Sequence, residues 1–99
     1  MEIVKLPISK LNAAPYNPRL DLRPGDKEYE KLKKSIVEYG YVDPIIVNRR
    51  GYVVVGGHQR LKIMKDLGHK EVEVSLVDLD PVKEKALNLA LNKTGGDWD

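Results

Sequence analysis

Two glycines followed by three hydrogen-bonding side chains form the stretch of this chain best suited to chemistry. Gly56 and Gly57 end an apolar run, and His58, Gln59 and Arg60 begin a segment with helical spacing. Glycines let a backbone turn sharply and approach a ligand closely. The first amides of a helix lack internal partners and carry a partial positive charge. The spacing therefore predicts an anion site, toward which the Arg60 side chain folds back to bind phosphate or carboxylate.

The same residues also have a purely structural interpretation. Two glycines before a helix are common, and they can serve only to turn the chain. Arg60 can pair with a structural carboxylate, and a lone histidine such as His58 is more often a surface residue than a catalytic one. Spacing alone leaves both interpretations open.

Composition narrows the class of protein. The chain has 99 residues, no cysteine and a net charge of +2, so we expect residues 1–99 to form a single domain. The lack of cysteine excludes disulfides, thiolate nucleophiles and thiolate metal sites. Basic and acidic residues are nearly balanced, whereas a DNA-binding surface typically has an excess of positive charge. With neither a membrane-length apolar run nor a signal region, we expect a cytoplasmic protein. The excess of Lys and Glu over glutamine indicates a thermophilic source.

The first half of the chain predicts a strand, a long loop and a helix. Residues 2–6 form the strand, and residues 9–26, rich in proline, form the loop; long loops often bind a ligand. Apolar side chains at spacings of three and four predict a helix over residues 27–39. Asp26 is suited to cap its first turn, and Gly40 to end it in a left-handed conformation.

The region around the glycines predicts a hairpin and a helix. Residues 44–48 and 52–55 are short β-branched runs, typical of strands buried on both faces, and the three residues between them suit a hairpin turn. We expect a helix over residues 58–67, ended by Gly68.

The last third predicts a strand and a final helix. Residues 71–76 alternate apolar and polar, which indicates a strand with one wet face that includes Ser75. Asp80 caps a helix over residues 81–93, followed by a frayed tail at 94–99. Together these elements predict an α+β fold, a small mixed β-sheet with packed helices.

The final helix carries two kinds of surface. We expect the polar side chains spaced along one side, Lys85, Asn88 and Asn92, to form a solvated face. The rest of the helix is broadly apolar, which indicates that more chain, a second copy or another partner packs against it.

Taken in order, the motifs resemble a known family. The segments "LPISKL", "YNPR", "EYGYVDPIIV", "VGGHQRL" and "VEVSLVDLD" are similar to the ParB/sulfiredoxin superfamily, and in particular to the ParB N-terminal domain, often labelled a nuclease. The ending "ALNLALNKTGGDWD" is most similar to ParB-like domains that precede DNA methyltransferase domains. The resemblance covers nearly the whole chain and implies a ParB/sulfiredoxin-like fold.

The resemblance also implies a nucleotide site at the glycine joint, the junction of strand and helix at Gly56 and Gly57. Partition proteins of this superfamily bind and hydrolyse CTP, and sulfiredoxin uses ATP, so CTP or ATP, with or without Mg²⁺, is the implied ligand. Gly57 and Arg60 match the family's phosphate-facing box. Further residues that the resemblance places at the nucleotide are Asn17 and Arg19 of "YNPR", Asp43, Pro44 and Asn92.

The chain departs from the family at two residues of that box. His58 stands where partition proteins have a glutamate linked to catalysis and metal, and Gln59 replaces an arginine. Histidine cannot replace a carboxylate on Mg²⁺, which prefers oxygen ligands. Sulfiredoxin chemistry needs a cysteine at the position of His58. No cluster of carboxylates or histidines has metal-site spacing, so we expect neither a metal site nor a nuclease.

Three functions follow from the sequence. The first is nucleotide or phosphate binding in a DNA-related process such as partition, DNA modification or a mobile element, with DNA contacted through other domains or partners. The second is a small-molecule kinase or nucleotide hydrolase with His58 as its base, so whether the chain is an enzyme stays open. The third is a protein-interaction module that uses the last helix and no ligand.

Overall fold

A mixed five-stranded sheet with three α-helices makes up the part of the chain that the computed structural model describes, residues 2–16, 23–40 and 43–96, with side chains as far as residue 91. This confirms the predicted α+β class. The elements are β1 (Glu2–Pro7), a 3-10 turn (Ile8–Lys10), β2 (Asn12–Ala13), α1 (Lys27–Tyr39), β3 (Ile45–Asn48), β4 (Val53–Gly56), α2 (His58–Asp66), β5 (Glu71–Val77) and α3 (Pro81–Gly96).

The sheet pairs the first strand of the chain, β1, with the last strand, β5. Its strand order is β1-β5-β3-β4-β2. The β1/β5 and β3/β4 pairs are antiparallel, whereas β5/β3 and β4/β2 are parallel. The predicted hairpin between β3 and β4 is confirmed, and Gly51 in its turn has a φ of +77°. β4 pairs with β3 on one side and with β2 on the other, and β3 alone of the two extends as far as Gly56 at the end of β4.

Helices cover both faces of the sheet. One face holds the hydrophobic core, in which the buried residues are Ile45, Val47, Val54, Met64, Val72 and Val74. Met64 comes from α2, and Ile36 of α1 packs against the same cluster. On the other face α3 lies against β4. This layering explains why β3 and β4 are apolar at almost every position. Among the described residues, no helix is long and apolar enough to cross a membrane.

The boundaries of α1 agree with the prediction, but its start differs in detail. Asp26 precedes the helix, yet its side chain makes no capping hydrogen bond. Instead Asp26 Oδ2 accepts a hydrogen bond from the Arg23 backbone N–H at 2.9 Å, so it closes the preceding turn. Gly40 ends the helix with a φ of +83°. The buried Tyr29 donates a hydrogen bond to Asp66 Oδ2 at 2.6 Å and so joins α1 to α2.

The predicted loop at residues 9–26 is partly wrong, because it contains β2. Asn12 fastens this two-residue strand to the β3–β4 hairpin. Its backbone N–H donates to the Tyr52 carbonyl at 2.9 Å, and its side-chain Nδ2 donates to the Gly51 carbonyl at 2.7 Å. A strand of two residues is too short to show a period, so only its partners reveal it.

Two polar residues expected in solvent are buried. Ser75 and Asn88 are each 1% exposed, so the wet face predicted for β5 and the solvated face predicted for α3 are both wrong at these positions. Ser75 lies on the opposite face from the core residue Val74, beside its register partner Ile46. The packing of α3 over that face removes both polar residues from water.

The end of α3 also differs from the prediction. Asp80 Oδ1 accepts a hydrogen bond from the Lys83 N–H at 2.8 Å, so the predicted cap is confirmed. The helix then continues to Gly96 instead of ending at residue 93. Glycine weakens a helix without by itself stopping it.

Candidate functional site

The backbone turns from β4 into α2 at Gly57. This residue has a φ of +86° and a ψ of 26°, a left-handed conformation that L side chains rarely adopt. A Cβ on Gly57 would lie 3.1 Å from the Ile45 Cα, so buried backbone also crowds any side chain here. No side chain caps the start of α2. The first backbone amides of α2 therefore lie beside a bare turn, that is, a turn without a side chain. This arrangement is suited to binding an anion.

Arg60 folds back over this turn, as its spacing predicts. Its Nη1 lies 3.5 Å from the position that a Cβ on Gly57 would take. Its Nη2 donates to Asp43 Oδ2 at 3.0 Å. The guanidinium is thus placed beside the start of α2, where a bound anion would meet it.

The ion pair between Arg60 and Asp43 bears on both interpretations of Arg60, as a residue that binds an anionic ligand and as the partner of a structural carboxylate. The arginine does have a carboxylate partner, but the pair is not buried, since the Arg60 and Asp43 side chains are 31% and 70% exposed. An exposed pair of this kind contributes little free energy. A phosphate can therefore compete with Asp43 for the guanidinium at small cost.

His58 is half-buried at the first position of α2. Its Nε2 lies 3.1 Å from the Val54 carbonyl oxygen. Since a carbonyl only accepts, Nε2 carries the hydrogen and donates it, which leaves Nδ1 as the unprotonated nitrogen of the neutral ring. Burial lowers the pKa of His58 below its ordinary value of 6.5, although the bond to Val54 acts in the opposite direction. His58 is therefore neutral at pH 7.

The buried position of His58 predicts a pH dependence of stability. Because its pKa is lower in the folded than in the unfolded chain, the unfolded state binds the proton more tightly. The preferential protonation of the unfolded chain is negligible well above pH 6.5. It lowers the free energy of unfolding as the pH falls below that value. We expect the free energy of unfolding of the wild type, measured in urea from pH 7.5 to 5, to fall more steeply than that of His58→Gln.

The other histidine supplies the control. His69 is exposed, so His69→Gln should keep the steep fall while His58→Gln loses part of it. Equal pH slopes for the wild type and His58→Gln would show that His58 titrates alike in both states.

The joint is closed on one side by α3. A Cβ on Gly56 would lie 2.8 Å from the Leu91 Cδ1, so α3 packs closely over Gly56 and the end of the Leu91 side chain would have to shift to admit a larger residue. The Asn88 Nδ2 donates to the Val55 carbonyl at 3.0 Å. Asn92 follows Leu91 directly, and its side chain lies outside the described residues.

Most of the predicted site residues meet at this joint. The structure brings together Gly56, Gly57, His58, Gln59, Arg60, Asp43 and Pro44, through the end of β4, the start of α2 and the residues before β3. Asn17 and Arg19 lie outside the described residues. Within the described part of the chain, no group of three or more His, Cys, Asp or Glu residues could hold a metal ion.

Sequence reasoning missed one polar cluster, which joins Tyr16, Asn48 and Glu84. Glu84 accepts hydrogen bonds from both of the other side chains. The three residues are far apart along the chain, and the single visible signal was an asparagine ending the apolar run of β3.

Comparison with known proteins assigns the family. The ParB N-terminal domain family matches residues 1–93, and the chain belongs to this family. The probable chromosome-partitioning protein ParB of Campylobacter jejuni is 33% identical over 88 residues, which are 86% of this chain and 31% of that relative. The chain thus spans about a third of that relative's length.

Solved structures of ParB proteins and of sulfiredoxin share the fold of this chain. The truncated chromosome-partitioning protein ParB from Caulobacter crescentus, complexed with CTP-γ-S, matches with a TM-score of 0.74 and 27% identity, over 100% of this chain and 56% of that one. The same protein complexed to the centromeric parS site matches with a TM-score of 0.74 and 25% identity, over 97% and 50%. Sulfiredoxin from Arabidopsis thaliana, at 23% identity, shares the fold, with a TM-score of 0.65 over 88% and 97%. The ParB/sulfiredoxin-like fold is confirmed.

Proposed function

We propose that this domain binds a nucleoside triphosphate, with CTP as the first candidate, through its phosphates at the joint between β4 and α2. The observation that carries the proposal is the placement of Arg60 over the bare left-handed turn at Gly57. The Caulobacter relative that matches the whole chain was solved with a CTP analogue, and this supports the choice of base.

The proposed roles follow from the contacts at the joint. The first amides of α2 bind phosphate oxygens, and the Arg60 guanidinium leaves Asp43 to make two hydrogen bonds to the same group. Gly57 keeps the approach open. Gln59, Pro44, Arg19, Asn17 and Asn92 complete the proposed site.

The proposal is one of binding without assigned turnover. The Nε2 of His58 donates to the Val54 carbonyl, so only Nδ1 could act as a base, and no contact of Nδ1 among the described residues assigns it that role. Asp43 is an exposed carboxylate at the joint, and Mg²⁺ is often held by one or two carboxylates together with substrate phosphates. Asp43 is therefore the residue that would support a magnesium ion bound to the nucleotide.

The role in the cell is part of the same proposal. We propose that the full protein acts in the cytoplasm on DNA, in partition or DNA modification, because curated relatives such as the Campylobacter protein are partition proteins. With a net charge of +2, residues 1–99 form a single ligand-binding domain, and DNA is contacted through other segments or partners. An association with a methyltransferase domain stays a prediction.

A titration on the wild type tests the proposal. CTP, ATP, GTP and inorganic phosphate are each added with and without Mg²⁺, and the melting temperature and heat of binding are measured. A ligand at about a hundred times its dissociation constant should stabilise the fold by about 2.7 kcal/mol. We expect CTP to give the largest shift and phosphate a smaller one. No shift and no heat with any of these ligands would contradict nucleotide binding.

A further inference from the structure

The His58 side chain spans the turn between β4 and α2. His58 is the first residue of α2, and its Nε2 donates to the carbonyl oxygen of Val54 in β4, 3.1 Å away. Gly56 and Gly57 lie between these two residues, and Gly57 has the left-handed backbone. The hydrogen bond therefore closes a ring around two glycines, the residues with the most conformational freedom to lose. We call this bond the His58 brace.

The His58 brace uses no group that the proposed function needs. It engages a carbonyl of β4, so the first backbone N–H groups of α2 remain available to phosphate oxygens. The side chains that pack on the two glycines from β3 and α3 are apolar, namely Ile45 and Leu91. The brace can thus hold the turn in shape while the anion site beside it stays open.

Protonation of the ring leaves the brace intact. Nε2 donates in the neutral ring, and both nitrogens carry hydrogen in the imidazolium. A proton added at Nδ1 therefore keeps the bond to Val54 and adds one positive charge to the first residue of α2. In the free protein this charge is opposed by burial and by the partial positive charge at the start of a helix.

A bound phosphate would act as a counter-charge for the ring. Among the described residues, the pKa of His58 is shifted by burial and by a backbone carbonyl, and not by a charged side chain. Arg60 and Asp43, which the structure places at the joint, pair with each other at 3.0 Å. α1 is joined to α2 at the opposite end of that helix, where Tyr29 donates to Asp66. An opposite charge within about 4–6 Å favours the charged form of a titratable group, so phosphate on the first amides of α2 would favour the imidazolium.

We propose that His58 braces the turn at Gly57 for nucleotide binding, and that its ring takes up a proton from water at Nδ1 when the phosphates bind. This inference rests on the proposed function and adds a positioning residue to it. Because linkage is reciprocal, a protonated ring binds the phosphates more tightly than a neutral one. The affinity for nucleotide should therefore depend on pH through His58.

Proton NMR of the two histidine rings tests the proton uptake on the wild-type chain. The ring signals are followed from about pH 8 to about pH 5 without ligand, with saturating CTP, and with cytidine, which lacks phosphate. His69 is exposed and follows the far end of α2, so its signal, identified with His69→Gln, is the reference. We expect CTP to raise the pKa of His58 and cytidine to leave it unchanged. An unchanged or lower pKa with CTP bound, or an equal rise with cytidine, would overturn the proton uptake.

Two variants separate the brace from the charge. His58→Gln keeps an amide hydrogen at a similar reach but cannot titrate, and His58→Ala removes both properties. At about pH 7.5 His58→Ala should bind CTP roughly three- to tenfold more weakly than His58→Gln, because it loses the bond to Val54. Phosphate groups also gain protons near pH 6, so the dissociation constant of the wild type is divided by that of His58→Gln. This ratio should fall roughly three- to tenfold between about pH 7.5 and about pH 5.5.

The outcomes distinguish this inference from nucleotide binding itself. Equal affinities of His58→Ala and His58→Gln would overturn the brace, and a ratio that does not change with pH would overturn the proton linkage. In both cases the wild-type titration would still support nucleotide binding. Circular dichroism checks the folding of each variant, and His58→Asn, whose shorter amide ends before the position of Nε2, replaces His58→Ala if that variant does not fold. Wild-type protein that binds no nucleotide would overturn both proposals.

Discussion

Arg60→Ala should weaken nucleotide binding more than any other single substitution at the joint, by roughly 10- to 100-fold. The reason is that a hydrogen bond to a charged group contributes about 1.5–3 kcal/mol, and Arg60 is the cation placed over the bare turn at Gly57. The dissociation constants for CTP and for inorganic phosphate are measured by calorimetry. Both should rise, since the arginine is proposed to contact phosphate and not the base.

The neighbouring Lys62 provides the control for charge. Lys62 lies on the same helix but pairs with Asp66 at 3.6 Å. Lys62→Ala therefore removes one positive charge that lies away from the joint. It should change the dissociation constant less than about twofold, because exposed charges are screened by salt. A variant that separates positioning from charge is Arg60→Lys, which keeps the charge and loses the two-pronged geometry. If Arg60→Ala and Lys62→Ala had equal effects, Arg60 would act only through net charge.

Gly57→Ala should lower the free energy of unfolding by about 2–3 kcal/mol and also weaken binding. A left-handed conformation costs a non-glycine residue about 1–3 kcal/mol. The added Cβ would also lie 3.1 Å from the Ile45 Cα and 3.2 Å from its Cγ1. Ile45 is fully buried in β3, so it cannot move aside without disturbing the core. Urea unfolding measures the stability, and the CTP titration measures the binding.

Gly68→Ala isolates the conformational part of that cost. Gly68 has a φ of +92°, close to that of Gly57, but a Cβ there would meet nothing within 4 Å. It should therefore lower stability by about 1 kcal/mol and leave CTP binding unchanged. The difference between the two variants reports the contact with Ile45. Equal losses in the two variants would show that the joint relaxes around an added Cβ and is not closely packed.

Local sequence patterns predicted most of the elements and the centre of the site. The apolar spacing of residues 27–39 predicted α1, and the β-branched runs predicted β3 and β4, each within a residue or so. The fold-back of Arg60 over Gly57 followed from the direction of side chains in the first turn of a helix. These features depend on residues within one or two turns of each other, so the sequence alone can reveal them.

Contacts between distant residues could not be predicted in this way. Asp43 reaches Arg60 because β3 and α2 are neighbours in the fold, and Asn88 is buried because α3 crosses β4. Tyr16, Asn48 and Glu84 come together only once the sheet order is set. The sequence by itself determined a helix start suited to an anion, with an arginine aimed at it. The tertiary structure decided which carboxylate meets that arginine and which residues lie around it, because strand order, and not spacing, brings distant side chains together.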